Sequence, residues 1–504
     1  MQSNTLSKSK YVRGLQCHKS LWLLIKGNVI PKPPSELLKA IFKEGNKVGE
    51  IAQNLFPGGK LIKFEGSDND EKIAKTKEWI ASGESTIYEA TFKFDDIVVM
   101  VDILTKGKNG WEFYEVKSAA KVYKNKSTKV KDVYINDVAI QYYVLKGSGL
   151  DISSAFLVHI NNQYVRQGPL EVDKLFSFAD LTETAIEAQN EVVDELGTIR
   201  EFLNEGEPEI EIGVHCDKPY ECDFKAHCWP DEILNGYTVF NISGLHDSKK
   251  FELYESGVTK VEDVPETFPL SDNQRLQVET ELNGKERIDR KQINKFLNNL
   301  YYPLYFLDFE TFTQTVPEWD DLRPYQKIPF QYSIHYIERE GKEPSHLEFL
   351  AEENSDPRRS IADRLVSDIP KGTCVLVYNC SFEKGVIQGL AKQFPDYSDH
   401  LMKIHDNVMD LMVPFQKKHY YKKEMKGRYS IKAVLPALTS DSPYSKMGIN
   451  EGMEASNNYK NLPSITDSLT REKIKEDLKV YCKQDTQSMI DVLECLKTVV
   501  LKSR

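Results

Sequence analysis

Two groups of acidic residues in this chain have the spacing that metal-assisted hydrolysis uses. Asp102 lies in the apolar run IVVMVDIL, and a KGKNG turn leads from it into WEFYEVKS, which delivers Glu115 and Lys117. Side chains two apart on a strand share a face, so Glu115 and Lys117 project together and Asp102 meets them across the hairpin. Two carboxylates can hold Mg2+ or Mn2+, and an ammonium beside them can assist a water or steady a phosphoryl oxygen, which is what phosphodiester hydrolysis requires. An alternating edge strand with a surface ion pair is the bland alternative. The second group begins in YFLDFETF, where Asp308 and Glu310 stand two apart on an apolar strand and repel unless a cation joins them. Further on, VLVYNCSFEKGVI runs from a buried strand into a helix carrying Glu383, and YCKQD sets Tyr481 and Asp485 at i and i+4, on one face of the last long helix.

The cysteines divide in the same way. Cys216, Cys222 and Cys228 form C-x5-C-x5-C, while Cys17 stands alone in RGLQCHKSLW; Cys374, Cys380, Cys482 and Cys495 are scattered and read as small buried apolar residues. Four organised thiols in a reducing compartment point to a metal or a cluster rather than to disulfides. Tetrahedral zinc accepts four cysteines, with His18, His215 and His227 as alternative ligands, and an iron-sulfur cluster accepts the same set.

Asp102, Glu115-Val116-Lys117 and a following helix with Asp137 and Gln141 resemble the RecB-type branch of PD-(D/E)XK nucleases, close to the CRISPR-associated exonucleases of spacer acquisition. That resemblance implies that Asp102 and Glu115 ligate the metal, that the Val116 carbonyl adds a ligand, that Lys117 positions or activates the water, and that Gln141 sits beside them. Many members carry a metal-binding His in a G-x-x-x-H setting; this chain has Gly45, Gly49 and Glu50 there, so Glu50 is the substitute ligand to test. One cysteine before the nuclease core and three after it is the arrangement of similar iron-sulfur nucleases, which implies a structural [4Fe-4S] cluster on Cys17, Cys216, Cys222 and Cys228, with zinc as the alternative.

The second group resembles the three motifs of DEDD exonucleases in their Tyr-x-x-x-Asp variant, with Glu383 where Asp is usual. The resemblance implies that Asp308, Glu310, Glu383 and Asp485 hold two divalent ions about 4 Å apart, that Tyr481 orients the attacking water, and that cleavage runs 3′ to 5′. Asp410 and the segment SIKAVL match further landmarks and are expected to be structural.

The elements that must position these residues follow from periodicity. A helix over 70–82, strands over 86–94, 97–104 and 111–117, a helix over 133–146 and a strand over 155–160 give α-β-β-β-α-β. Strands over 304–309, 330–338 and 346–350, a helix near Ile361, a strand over 373–378 and helices ending in 471–501 give β-β-β-α-β-α. The expected fold is therefore α/β: a PD-(D/E)XK domain with a four-cysteine centre over 1–235, a helical connector over 236–299 that loosely resembles a helix-hairpin-helix unit, and an RNase H-like mixed sheet with helices over 300–504.

A length of 504 residues suits two or three domains. A net charge of −11 gives no general attraction to phosphate, so nucleic-acid binding falls to local patches. Two are available: Lys121, Lys124, Lys126, Lys129 and Lys131 around Tyr123, and Lys422 and Lys423 beside His419, Tyr420 and Tyr421, where lysines follow a backbone and aromatic rings stack on bases. The first residues lack a secretory apolar region and no run of about 18 apolar residues follows, so a cytoplasmic protein with no membrane partner is expected. The sum is a divalent-metal-dependent nuclease acting on nucleic acid, with single-stranded DNA ends favoured over RNA. The alternatives are a nucleic-acid-binding scaffold and a nuclease with one degenerate domain.

Overall fold

The computed structural model describes residues 5–63, 68–125 and 127–501, so Lys126 lies outside the described residues. The chain divides into two compact units, residues 1–230 with 314–325, and residues 231–313 with 326–504. Both are mixed α/β.

The first unit is built on a seven-stranded sheet. Its strands are β1 (Leu6–Ser7), β2 (Lys60–Leu61), β3 (Thr86–Phe94), β4 (Ile97–Lys106), β5 (Trp111–Lys117), β6 (Ile152–Ile160) and β7 (Phe176–Asp180). They run in the order β2-β3-β4-β5-β6-β7, with β1 parallel beside the start of β4. β3, β4 and β5 form an antiparallel meander, whereas β5 and β6 are parallel because a helix crosses between them. The helices used below are α1 (Lys8–Gln16), α2 (His18–Ile25), α3 (Glu36–Ala52), α4 (Asn69–Ala81) and the crossover α5 (Asp132–Gly147). Val99, Phe113 and Leu157 pack on one face with Val138 and Leu145 of α5, while Tyr88, Ile103 and Tyr114 pack on the other with Val48 and Ala52 of α3.

The alternation of those faces slips once. Ile87 and Ala90 share a core with Val101 and Leu104, so both strands shift phase at Glu89 and Asp102. These two residues occupy opposite positions between the pairs Tyr88–Ile103 and Ala90–Val101, and Glu89 adopts φ 57°. Such a residue bends the strand locally and re-aims its neighbours.

In the second unit, β8 (Arg287–Ile288), β9 (Leu304–Phe312), β10 (Ile328–Ile337), β11 (Ser345–Leu350), β12 (Cys374–Val377), β13 (Val408–Asp410) and β14 (Tyr420–Tyr421) make two sheets. The larger has the order β11-β10-β9-β12-β13, with β9 antiparallel to β10 and parallel to β12. Leu307, Tyr332, Ile361, Val375 and Leu390 form its core. The C-terminal helix Ser468–Leu501, of 34 residues, lies along β9 and β10. Residues read from the sequence as a connector belong to this unit: helices Asp247–Glu255, Asp272–Asn283 and Arg290–Leu297 precede β9, and β8 pairs with β14. That pairing buries Tyr420 and Tyr421, so the rings expected to stack on bases are core side chains. Among the described residues no helix is long and apolar enough to cross a membrane.

Candidate metal centres

The strand period of β9 sends Asp308 and Glu310 to one face, and the C-terminal helix lays Asp485 against them. One carboxylate oxygen from each of the three lies within 4.8 Å of the other two. The fourth acid, Glu383, enters from the first turn of the helix Cys380–Gln393 and is 2% exposed. Its Oε2 is buried and has no hydrogen-bond partner. Burial, and then the Asp308 charge, pushes the Glu383 carboxyl up to about 9. Burial and Asp485 hold Asp308 well above the carboxylate range, and burial with Asp308 and Asp485 does the same to Glu310. Asp485 is raised by burial to about 6, with Tyr444, Lys432 and Tyr481 pulling against the rise. Packed carboxylates carry such shifts because they lack counter-charge. An orphaned oxygen and a tight acidic triad are the donor set that hard divalent cations take, so the residues fit Mg2+ or Mn2+.

Three further side chains complete this cluster, and none was assigned a role from the sequence. Lys432, in the SIKAVL segment expected to be structural, donates to the Tyr481 hydroxyl at 2.9 Å. Tyr444 donates to Asp485 Oδ1 at 2.6 Å. Cys482, fully buried as expected, turns its thiol toward Asp308 Oδ2 at 3.6 Å. Asp410 is structural as expected: its carboxylate accepts from Asn379 N, Cys380 N and Met412 N at 2.9–3.0 Å, fixing the start of the helix that carries Glu383.

In the first unit β5 presents Glu115 and Lys117 together, with Lys117 Nζ 2.7 Å from Glu115 Oε1 and 2.6 Å from Asp137 Oδ2 of α5. Gln141 Nε2 donates to Glu115 Oε2 at 2.8 Å. Asp102 Oδ2 accepts from Val116 N at 2.6 Å, which locks the two strands at the site. Lys8 also reaches Glu115 Oε1, at 2.6 Å. Burial works to raise Glu115, but Lys117 and Lys8 outweigh it and hold the carboxyl at about 2. Asp102 goes the other way, to about 7, through burial and the Glu115 charge. Glu89, opposite Asp102 across β3 and β4, is likewise raised to about 7 by burial and by Asp102. Glu50 is exposed on α3 and takes no part in the contacts that bind this cluster together.

Cys17 initiates α2, and Cys216, Cys222 and Cys228 follow from the 213–228 segment. The Cys17 thiol feels Cys222 and Cys216, and the Cys228 thiol feels Cys222, Cys17 and Cys216, so all four lie in one region, although no three of their sulfur atoms come within 4.8 Å of one another. Protein contacts hold the two segments together: Arg13 forks onto Asp223 at 2.6 and 3.0 Å, and Gln16 Nε2 donates to His215 O and Tyr220 O. Of the alternative ligands, His18 stacks on Phe202 and His227 faces Glu207. Four thiols in one region suit either a cluster or zinc.

The first basic patch is a hairpin in which Tyr123 bridges Val130, with Lys121, Lys124 and Lys129 exposed. Lys124 pairs with Asp132, and Lys131 donates back to Lys121 O. In the second patch Lys423 is exposed, while Lys422 donates to Ala437 O at 2.7 Å.

Residues 305–430 match a family described as "Domain of unknown function (DUF2779)". That span includes Asp308, Glu310 and Glu383 and ends before Lys432, Tyr481 and Asp485. Over 242 residues the chain is 26% identical to "Uncharacterized protein UU173" of Ureaplasma parvum serovar 3, a match that covers 43% of this chain and 34% of that protein. The chain thus matches about a third of the length of this curated relative.

Proposed function

We propose that this chain is a divalent-metal-dependent nuclease, with an exonuclease site at Asp308, Glu310, Glu383 and Asp485 and a second hydrolytic site at Asp102, Glu115 and Lys117. The observation that carries the reading is the triad Asp308, Glu310 and Asp485, whose oxygens lie within 4.8 Å of one another, with Glu383 acting on it electrostatically and carrying a buried oxygen that has no partner. The strand order β11-β10-β9-β12-β13, with the acid pair on central β9, supports an RNase H-like fold for the second unit. The meander β3-β4-β5 followed by α5 and parallel β6 supports a PD-(D/E)XK fold for the first.

Bound Mg2+ or Mn2+ would polarise the phosphoryl oxygens and lower the pKa of a coordinated water. In the second unit the four carboxylates would hold the ions, and Tyr444 fixes the direction of Asp485. The Tyr481 oxygen accepts from Lys432, so its own hydrogen turns to the Asp485 side, where it would donate to an attacking water in place of the Asp485 carboxylate. In the first unit Asp102, Glu115 and the Val116 carbonyl would be the metal ligands, Gln141 holds Glu115, and Lys117 would steady the water or the phosphate. Cys17, Cys216, Cys222 and Cys228 would carry a [4Fe-4S] cluster, or zinc, as a staple. The substrate is nucleic acid, DNA ahead of RNA, cut 3′ to 5′ by the second unit, in the cytoplasm.

The test is cleavage of end-labelled single-stranded DNA and RNA by the full chain in Mg2+ and in Mn2+, alongside Asp308→Asn, Lys117→Ala and the double variant. A ladder lost only in the double variant supports two sites, and one lost with a single substitution leaves one working site. Binding with no cutting in any metal would replace the nuclease with a scaffold.

A further inference from the structure

Lys8 is a cation that no motif marks as a member of the first site. It is the first residue of α1, and its ammonium lies 2.6 Å from Glu115 Oε1, the same oxygen that Lys117 contacts at 2.7 Å. Asp102 and Asp137 also act on it, and Glu89 feels it in turn. The Glu115 side chain is 2% exposed, so two ammonium groups share one desolvated carboxylate oxygen. The position is fixed from both ends of α1. Ser7 caps the helix and belongs to β1, which is hydrogen-bonded beside β4, while Arg13 and Gln16 bind the 213–223 segment.

We propose that Lys8 is the resident second cation of the first site, so that this unit takes one divalent ion where the second unit takes two. The inference rests on the metal-dependent reading given above. Charge explains why. Glu89, Asp102, Glu115 and Asp137 face Lys8 and Lys117, and Lys72 acts on Glu89 from α4. With all four carboxylates ionised, three ammonium groups leave one negative charge, and a substrate phosphodiester adds another. One divalent ion balances the two, whereas a second ion would be repelled by Lys8 at close range. The second unit differs in this respect: its four carboxylates and Asp410, which acts on Glu383, face Lys432 and Lys327, and the three uncompensated charges with that of a phosphodiester match two divalent ions.

The experiment uses the full chain with Asp308→Asn and Asp485→Asn to silence the second cluster, and counts bound Mn2+ by titration calorimetry and by the electron paramagnetic resonance of free Mn2+. One ion is expected, with a cleavage rate that depends on Mn2+ through a single site. Adding Lys8→Met, which keeps length and removes charge, is expected to admit a second ion. It should also lower the rate at limiting Mn2+ by about 100-fold, the scale of losing one charge-stabilising group, and steepen the metal dependence. Lys8→Arg should keep one ion. Two ions bound with Lys8 in place would overturn the proposal even if Lys8→Met fails to fold, and so would a folded Lys8→Met chain that still binds one ion and cuts at the parent rate. If the ion count changes as expected but neither chain cuts nucleic acid, the cation assignment stands and the nuclease reading falls.

Discussion

The Tyr444 hydroxyl donates to Asp485 Oδ1 at 2.6 Å, joining a short turn, Pro443–Lys446, to the middle of the C-terminal helix. Tyr444 and Tyr481 both hydrogen-bond the Asp485 side chain, and a carboxylate held in one direction is the better metal ligand. Tyr444→Phe keeps the ring, which is 7% exposed, and removes only the hydroxyl. A hydrogen bond to a charged group contributes about 1.5–3 kcal/mol, so the exonuclease rate at limiting metal should fall by roughly 10- to 100-fold. The melting temperature should drop by a few degrees only, because the packing of the ring is kept. A Tyr444→Phe chain with the parent's metal dependence would show that Asp485 is held without this contact.

The second carboxylate cluster makes the metal-free protein sensitive to base. Glu383 at about 9 and Asp485 at about 6 lie above their unfolded values near 4. The folded chain therefore holds more protons than the unfolded one at neutral pH, and its stability falls as pH rises from about 4 toward 9. Metal replaces those protons, so Mg2+ or Mn2+ should raise the melting temperature more at pH 8 than at pH 6. Saturation at about 100 times the dissociation constant corresponds to about 2.7 kcal/mol. Glu383→Gln should flatten the metal-free slope and weaken the metal response. Melting curves from pH 5 to 9, with and without metal, check this; a flat metal-free profile argues against a packed, cation-deficient cluster.

Which parts of these sites could be read in advance depends on whether the signal was local. The strand period put Asp308 with Glu310 and Glu115 with Lys117, and the helical period put Tyr481 over Asp485; each pair is held by a repeat within five residues. The order of strands and helices around them was legible for the same reason. Lys8 was not, because its partner Glu115 lies 107 positions away and nothing in SKSKY marks it. Glu89 gained its place from a backbone phase slip that composition does not announce. Lys432 and Tyr444 reach the cluster from a segment whose pattern reads only as apolar helix and turn. Tyr420 and Tyr421 misled in the opposite sense: beside lysines they resemble a stacking surface, but pairing with β8 buries them.

The four-cysteine centre predicts a stability effect that separates it from the other cysteines. If the proposed centre forms, Cys216→Ala removes one of the four thiols through which it would tie residues near position 17 to the 213–228 segment, and a link of that kind constrains the unfolded chain as a disulfide does, by about 2–4 kcal/mol. Loss of bound iron or zinc and a lower melting temperature should occur together. Cys374→Ala, in the second unit, should leave metal content as it was. Metal analysis and visible absorption after anaerobic purification distinguish iron from zinc, and a Cys216→Ala protein with full metal content and an unchanged melting curve would remove Cys216 from the ligand set.

Lys432 gives the sharpest test of the second site, because its contact with Tyr481 fixes a hydrogen-bond direction. The Lys432 ammonium has no lone pair to offer, so at 2.9 Å it must be the donor and the Tyr481 oxygen the acceptor. The phenol hydrogen then points away from Lys432, toward Asp485, the side on which the attacking water of the proposed reaction would sit. Without Lys432 that hydrogen can turn away, and burial among Asp485, Glu310 and Asp308 leaves the carboxylates less compensated. Lys432→Met should cut the exonuclease rate by about 100-fold, the scale of losing one preorganised donor, with a smaller change in substrate affinity. Lys432 also donates to Asn450 O, so a loss of rate alone could reflect a displaced loop. A double-mutant cycle separates the two: if Lys432 acts through the hydroxyl, Lys432→Met costs little once Tyr481→Phe is present, whereas additive losses would assign Lys432 to the loop and leave Tyr481 unaided.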